Sequence, residues 1–231
     1  MAYNGQIGIE KAIQNIPNLI ISDVMMPEKD GFEVCERLKN DEKTSHIPIV
    51  LLTAKADIIS KIDGLKRGAD AYLLKPFHET ELKIRLQSLL EQQKRLVRYF
   101  SNRNKNTIST SIKDTPSILN KNIEIEDVFI KKIETILEKN YTNKDFGLPQ
   151  LCQKIGMSRS QLFRKMKALT GIPPSHFIRS FRLKKAKQLL ETSELNVSEV
   201  AWSTGFSSLS HFSRIFQEEF GTSPSTTSNH L

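Results

Sequence analysis

Cysteine is almost absent. The 231 residues hold two, Cys35 and Cys152, both within amphipathic helix patterns far apart in sequence. That placement fits reduced packing residues and argues against a disulfide framework or a cysteine-based metal site. Long apolar runs are missing too: no stretch approaches the eighteen or so apolar residues of a membrane span. The opening Met1-Ala-Tyr-Asn-Gly5 has no signal-peptide character, so a cytoplasmic chain without membrane contact is expected. Acid is scarce in one place only. Lys144 to Lys187 carries 11 basic side chains against the single acid Asp145, whereas residues 1–98 are near balance, with 15 basic and 14 acidic. The net charge of +8 is therefore concentrated, and a local field of that sign attracts a polyanion with strong salt dependence. Beyond it, Glu191, Glu194, Glu199, Glu218 and Glu219 face only Arg214, so the basicity is not a habit of the whole chain.

What is present is a duplication. With an offset of about fifty, Ser160-x-Leu162-x-Arg164-x-Met166 falls on Ser210-x-Phe212-x-Arg214-x-Phe216. A short apolar helix pattern and a glycine turn precede each copy: Leu148, Leu151, Ile155 and Gly156, then Val197, Val200, Thr204 and Gly205. This is the pattern of a helix-turn-helix, used twice. At 100° per residue, Leu162, Met166 and Leu169 share one side, with Ser160, Arg164 and Lys167 opposite. In the second copy Phe212, Phe216 and Phe220 oppose Ser210, Arg214 and Gln217. A small polar residue and an arginine four positions apart are the types that reach base edges and phosphates in a major groove. A single amphipathic helix with polar residues outside would say little; two copies in phase say more.

The run Ile155-Gly-Met-Ser-Arg-Ser-Gln-Leu-Phe-Arg-Lys-Met-Lys-Ala-Leu-Thr-Gly171, then Phe177-Ile-Arg-x-x-Arg-Leu-x-x-Ala186, Val200-Ala-x-x-x-Gly-Phe206 and Phe212-Ser-Arg-x-Phe-x-x-x-Phe-Gly-x-Ser-Pro224, resembles the DNA-binding domain of AraC/XylS transcription factors over about residues 125–227. The resemblance implies two helix-turn-helix units flanking a connecting helix near Ser175 to Glu191, with both recognition helices in successive major-groove segments. Arg164, Arg214, Gln217, Ser160, Ser208 and Ser210 are then the candidates for the duplex-facing side, and Arg159, Lys165 and Lys167 the phosphate partners.

The N-terminal third alternates helix and strand. Ile9, Ala12, Ile13 and Ile16 make a helix ended by Pro17. Three short apolar runs follow, Leu19–Ile21, Ile47–Leu52 and Ala71–Leu74, each trailed at once or within two residues by a polar residue: Asp23, Thr53 and Lys75. Helical patterns at about Gly31–Asn40, Ile58–Arg67 and Glu79–Glu91 fill the gaps. Such alternation predicts a parallel sheet with helices on both faces, whose strand ends line up on one edge where ligands bind. A carboxylate, a hydroxyl and an ammonium converging there suit phosphoryl transfer to an aspartate, although Thr and Lys also commonly end strands.

Leu19-Ile-Ile-Ser-Asp-Val-Met-Met-Pro-Glu-Lys-Asp-Gly-Phe32, His46-Ile-Pro-Ile-Val-Leu-Leu-Thr-Ala-Lys55 and Gly68-Ala-Asp-Ala-Tyr-Leu-Leu-Lys-Pro-Phe77 resemble the receiver domain of two-component response regulators, over most of residues 4–95. By that resemblance Asp23 is the phosphoacceptor, Thr53 and Lys75 bind the phosphoryl oxygens, Tyr72 is the aromatic switch, and Asp23 with the Met25 backbone carbonyl ligates Mg²⁺. The family's first strand, its acidic pair and its first helix have no counterpart before Asn4, so weak or absent Mg²⁺ binding is expected. The fold class expected is α/β plus all-α: an incomplete doubly wound, flavodoxin-like receiver over 1–98, a flexible linker over 99–122 rich in Ser, Asn and Thr, and a tandem helix-turn-helix AraC-type domain over 123–231. The helix pattern at Glu124 to Asn140 is either a packing helix or the point where a receiver signal enters.

The resemblance points to a sequence-specific transcription regulator controlled by a phosphorelay. Its implied partners are double-stranded DNA, an upstream histidine kinase as phosphodonor, a second copy in a homodimer and RNA polymerase. Catalysis beyond the receiver's own phosphorylation and dephosphorylation is not expected. The chain is similar to the C-terminal part of hybrid sensor kinases, and a phosphorylation-independent DNA-binding fragment is the alternative.

Overall fold

The computed structural model describes residues 1–54, 68–105 and 117–228, with side chains for all of these except 102–105 and 117–123. In chain order the elements are α1 (Gly5–Asn15), β1 (Ile20–Asp23), α2 (Gly31–Asn40), β2 (Ile49–Thr53), β3 (Ala71–Leu74) and α3 (Glu79–Lys105). Then come α4 (Ser117–Glu138), α5 (Leu148–Ile155), α6 (Arg159–Thr170), α7 (Pro174–Thr192), α8 (Val197–Ser203), α9 (Leu209–Phe220) and α10 (Pro224–Thr227). The chain divides into two compact units, Met1–Phe129 with Ser160–Gly171, and Ile130–Arg159 with Ile172–Leu231.

In the first unit the three strands form a parallel sheet in the order β1-β2-β3, as the helix-strand alternation predicts. Successive strand residues point to opposite faces. Ile49 and Leu51 therefore join Ile9 and Ala12 of α1 and Val34, Cys35 and Leu38 of α2 on one face. Val50, Ala71 and Leu73 turn to the other, where Leu82, Leu86 and Leu89 of α3 cover them. Local signals set the helix ends. The Asn4 side chain accepts from Ile7 N at 2.8 Å to start α1, and Asp30 and Glu33 form a reciprocal capping box at α2, each satisfying a backbone donor that a helix start leaves open. A buried polar knot fixes β2: Asp70 pairs with Lys39 at 2.6 Å and accepts from Ile49 N, while Lys39 also donates to Ile47 O.

Part of the span expected as linker, 99–122, is helical, and its residues 106–116 lie outside the described residues. Helix α3 continues to Lys105 and α4 starts at Ser117. The reason is a continued apolar face, from Leu89 through Leu96 to Phe100, whose ring is buried, with Ser101 Oγ donating to Thr170 O at 2.9 Å. The helix expected at Ile58–Arg67 lies outside the described residues. Ser160–Gly171 of α6 groups with the N-terminal elements in the first unit.

In the second unit α7 is the spine. Its Leu183, Ala186 and Leu190 pack with Val200 and Ala201 of α8 and with Phe212, Ile215 and Phe216 of α9. Asn196 caps α8 together with Glu199, and Ser208 caps α9 by accepting from His211 N. From α7, Arg182 donates to the carbonyls of Tyr141, Asn143 and Phe146, in the loop between α4 and α5. Gly205, at φ 79°, fits between this loop and that guanidinium; a Cβ there would lie 2.4 Å from Tyr141 O. Cys35 and Cys152 are buried and not bridged, and burial pushes the Cys35 thiol up to about 12, as suits packing residues. Among the described residues no helix is long and apolar enough to cross a membrane.

The Gly205 geometry generates a test. Gly205→Ala combines a positive φ with a backbone clash, so denaturant unfolding should show a loss of about 1–3 kcal/mol. An unchanged midpoint would contradict the close approach.

Candidate functional site

The parallel register brings the strand-end residues together. Asp23 lies opposite Leu52, next to Thr53, and Thr53 lies opposite Leu74, next to Lys75. Lys75 Nζ donates directly to Asp23 Oδ2, and Met25 N donates to Asp23 Oδ1 at 3.2 Å. The Lys75 hydrogen bond, helped by the Met25 and Val24 N–H groups and opposed by partial burial, holds the Asp23 carboxyl below its ordinary range. The carboxylate is therefore ionised at neutral pH, and about a third of its side chain is open to solvent. Thr53 is buried beside an open groove of about 490 Å³, lined also by Met25, Met26 and Phe32. Tyr72 is turned inward, its ring 6.3 Å from that of Phe32. Helix α2 is held against this edge because Gly31 has no side chain: its N–H donates to Val24 O, and a Cβ would come within 2.3 Å of Asp23 O.

A nucleophilic carboxylate, an ammonium on its oxygen and a neighbouring hydroxyl form a phosphoryl-accepting constellation. A Mg²⁺ ion at this edge would draw on Asp23. Octahedral oxygen ligation commonly draws on one or two carboxylates, phosphate and water. Each Asp23 oxygen accepts one N–H bond, from Lys75 or from Met25, and keeps a further lone pair; the described residues hold no cluster of three or more His, Cys, Asp or Glu able to bind a metal.

The other expected site residues lie on or beside α6 and α9. Arg159, Ser160, Arg164 and Lys167 of α6 are exposed, as are Ser208, Ser210, Arg214 and Gln217. Ser208 spends its hydroxyl on capping α9. Arg214 pairs with Glu218 at 2.6 Å in the open, a contact weak enough to be exchanged for another anion.

Lys165 is a correction. Its sequence position suggested a phosphate partner, yet its side chain is fully buried. It forms an ion pair at 2.8 Å with Glu126 of α4, itself 2% exposed, donates to Glu42 O and Ser45 Oγ, and lies 4.3 Å from the centre of the Phe129 ring. Burial pulls the Lys165 ammonium down, against the attraction of Glu126. The angular reading missed this because Lys165 sits at the margin of the Leu162-Met166-Leu169 stripe. The duplication carried the signal: fifty residues on stands Ile215, also buried. Glu126 was not singled out in the sequence at all.

A family model described as the response regulator receiver domain matches residues 1–87, and one described as a helix-turn-helix domain matches residues 151–230. The chain joins a response regulator receiver domain to a helix-turn-helix domain. It is similar to Histidine kinase P4 of Formosa agariphila, 43% identical over 228 residues that make up 99% of this chain and 16% of that protein. It is also similar to the DNA-binding dual master transcriptional regulator RpaA of Synechocystis, 45% identical over 95 residues, 41% of this chain and 39% of that one. Among solved structures, the C-terminal domain of the response regulator yesN from Fusobacterium nucleatum is 31% identical, covering 43% of this chain and 97% of that one at a TM-score of 0.41. The chain spans well under half the length of these curated relatives.

Lys165 should behave as a structural residue. Lys165→Ala leaves Glu126 buried and unpaired, which should cost about 3–5 kcal/mol in unfolding free energy. The double change Lys165→Met with Glu126→Leu should recover most of it. A Lys165→Ala chain of unchanged stability but weakened DNA affinity would contradict the buried pair.

Proposed function

We propose that the receiver takes a phosphoryl group on Asp23 and that this event controls DNA binding by α6 and α9. The observation that carries the first half is the convergence of Asp23, Thr53 and Lys75 at one sheet edge. On transfer, an Asp23 oxygen attacks phosphorus, the donor's leaving group departs with its bonding pair, and Lys75 changes partner from carboxylate to phosphoryl oxygen. Thr53 supplies the hydroxyl donor, and Tyr72, turned inward beside Phe32, is the aromatic switch. The residues present support only weak Mg²⁺ binding. A histidine kinase is the phosphodonor this chemistry requires in a phosphorelay. The change in charge at Asp23 is local, so its effect on DNA passes through a two-state element that it biases.

For the DNA half, Arg164 and Arg214 read bases, and Arg159 and Lys167 hold phosphates, with Ser160, Ser210 and Gln217 on the same exposed sides. Recognition helices with these residue types enter the major groove, and a regulator of this kind works where the chromosome is, in the cytoplasm. The match of 99% of this chain to 16% of a histidine kinase supports a further placement: the segment serves as the output end of a larger sensor. Homodimerisation and contact with RNA polymerase belong to the same reading.

The test uses acetyl phosphate as donor, with and without Mg²⁺. The chain should incorporate one phosphoryl group, Asp23→Ala should incorporate none, and operator affinity should change only where the group is carried. No incorporation under either condition, or the same affinity shift in Asp23→Ala, would contradict phosphorylation control.

A further inference from the structure

Within the first unit lies an open groove of about 920 Å³ that the phosphoacceptor chemistry does not use. One wall is the second half of α3, with Lys94, Val97 and Arg98; the other is α6, with Phe163, Arg164 and Lys167. All four cations are exposed. Among the described residues no acidic side chain lines the groove, and none of the four cations is ion-paired with a carboxylate. Four like charges around one cleft raise the local potential and favour a multivalent anion. Two of the four, Arg164 and Lys167, are on the face of α6 assigned above to the duplex.

We infer that Lys94 and Arg98 of α3 extend the DNA-binding surface of α6, holding backbone phosphates of the same duplex. The inference rests on the proposed DNA-binding role of α6 and adds the receiver's last helix to the interface. Lys94 and Arg98 are four residues apart on one helix face, a rise of about 6 Å. One strand of a duplex presents a charge every ~3.4 Å along its axis, so the two side chains address separate phosphates and not one shared group. Phosphate contacts position the protein without reading sequence, which makes their removal distinguishable from removal of a base contact.

The test measures affinity of the full chain for a selected duplex and for a random one across a salt series. The variants are Lys94→Ala with Arg98→Ala, the charge-reversing Lys94→Glu with Arg98→Glu, and Arg164→Ala, each confirmed folded by its thermal midpoint. The double alanine variant should weaken binding roughly tenfold on both duplexes and make the log-log salt slope shallower by about 1.8, that is ~0.9 per lost phosphate. The charge reversal should weaken it further. Arg164→Ala should instead lose preference for the selected duplex. Unchanged affinity and slope in the double variant, with Arg164→Ala still impaired, would overturn the inference and leave the role of α6 standing. A wild-type chain that binds neither duplex would overturn both. Calorimetric binding of pyrophosphate alone, lost in the double variant while the DNA slope stays the same, would assign the groove to a small anion and overturn it too.

Discussion

A buried lysine and a buried glutamate decide which side of α6 faces outward. Lys165 and Glu126 meet at 2.8 Å with almost no exposure of either, and separating them would strand a charge away from solvent, at a cost of several kcal/mol. Rotation of α6 about its axis is therefore closed off. With Lys165 inward, Leu162, Met166 and Leu169 are inward as well, and Arg164 and Lys167 are left outside. Helix α9 reaches the same result without ions. Ile215 takes the inward position, within a train of rings from Phe206 through Phe212 and Phe216 to Phe220 spaced 4.7–5.6 Å apart. The two helices thus present matching polar faces over differently built interiors.

The receiver edge depends on register in the same way. Three residues far apart in sequence become neighbours because parallel strands end together, and a one-residue slip in either pairing would turn a side chain to the wrong face. Capping at Asp30, the bare backbone of Gly31 and the knot of Lys39, Asp70 and Ile49 N hold that register. A carboxylate held ionised by Lys75 is stable as it stands and still reactive, since the ammonium that lowers its proton affinity is the group that would meet incoming phosphoryl oxygens.

Much of this was legible in the sequence. Short apolar runs followed by Asp23, Thr53 and Lys75 read as strands and their ends, and Ala71–Leu74 and Gly31–Asn40 coincide with their elements. The repeat around Ser160 and Ser210 placed both exposed faces correctly. What escaped was long-range. Lysine is usually solvated, so Lys165 read as surface; only a partner 39 residues earlier in the chain makes its burial tolerable, and no local pattern announces Glu126. The polar stretch after Tyr99 read as linker because composition outweighed the single buried ring of Phe100 that prolongs α3.

The central claim is that α6 and α9 each lay an arginine face on DNA. Hydroxyl-radical footprinting of the full chain on a selected duplex tests it most directly, repeated with Arg164→Ala and Arg214→Ala. The account predicts two protected segments, one weakened by each substitution. A single protected segment, or both substitutions erasing the same one, would contradict it.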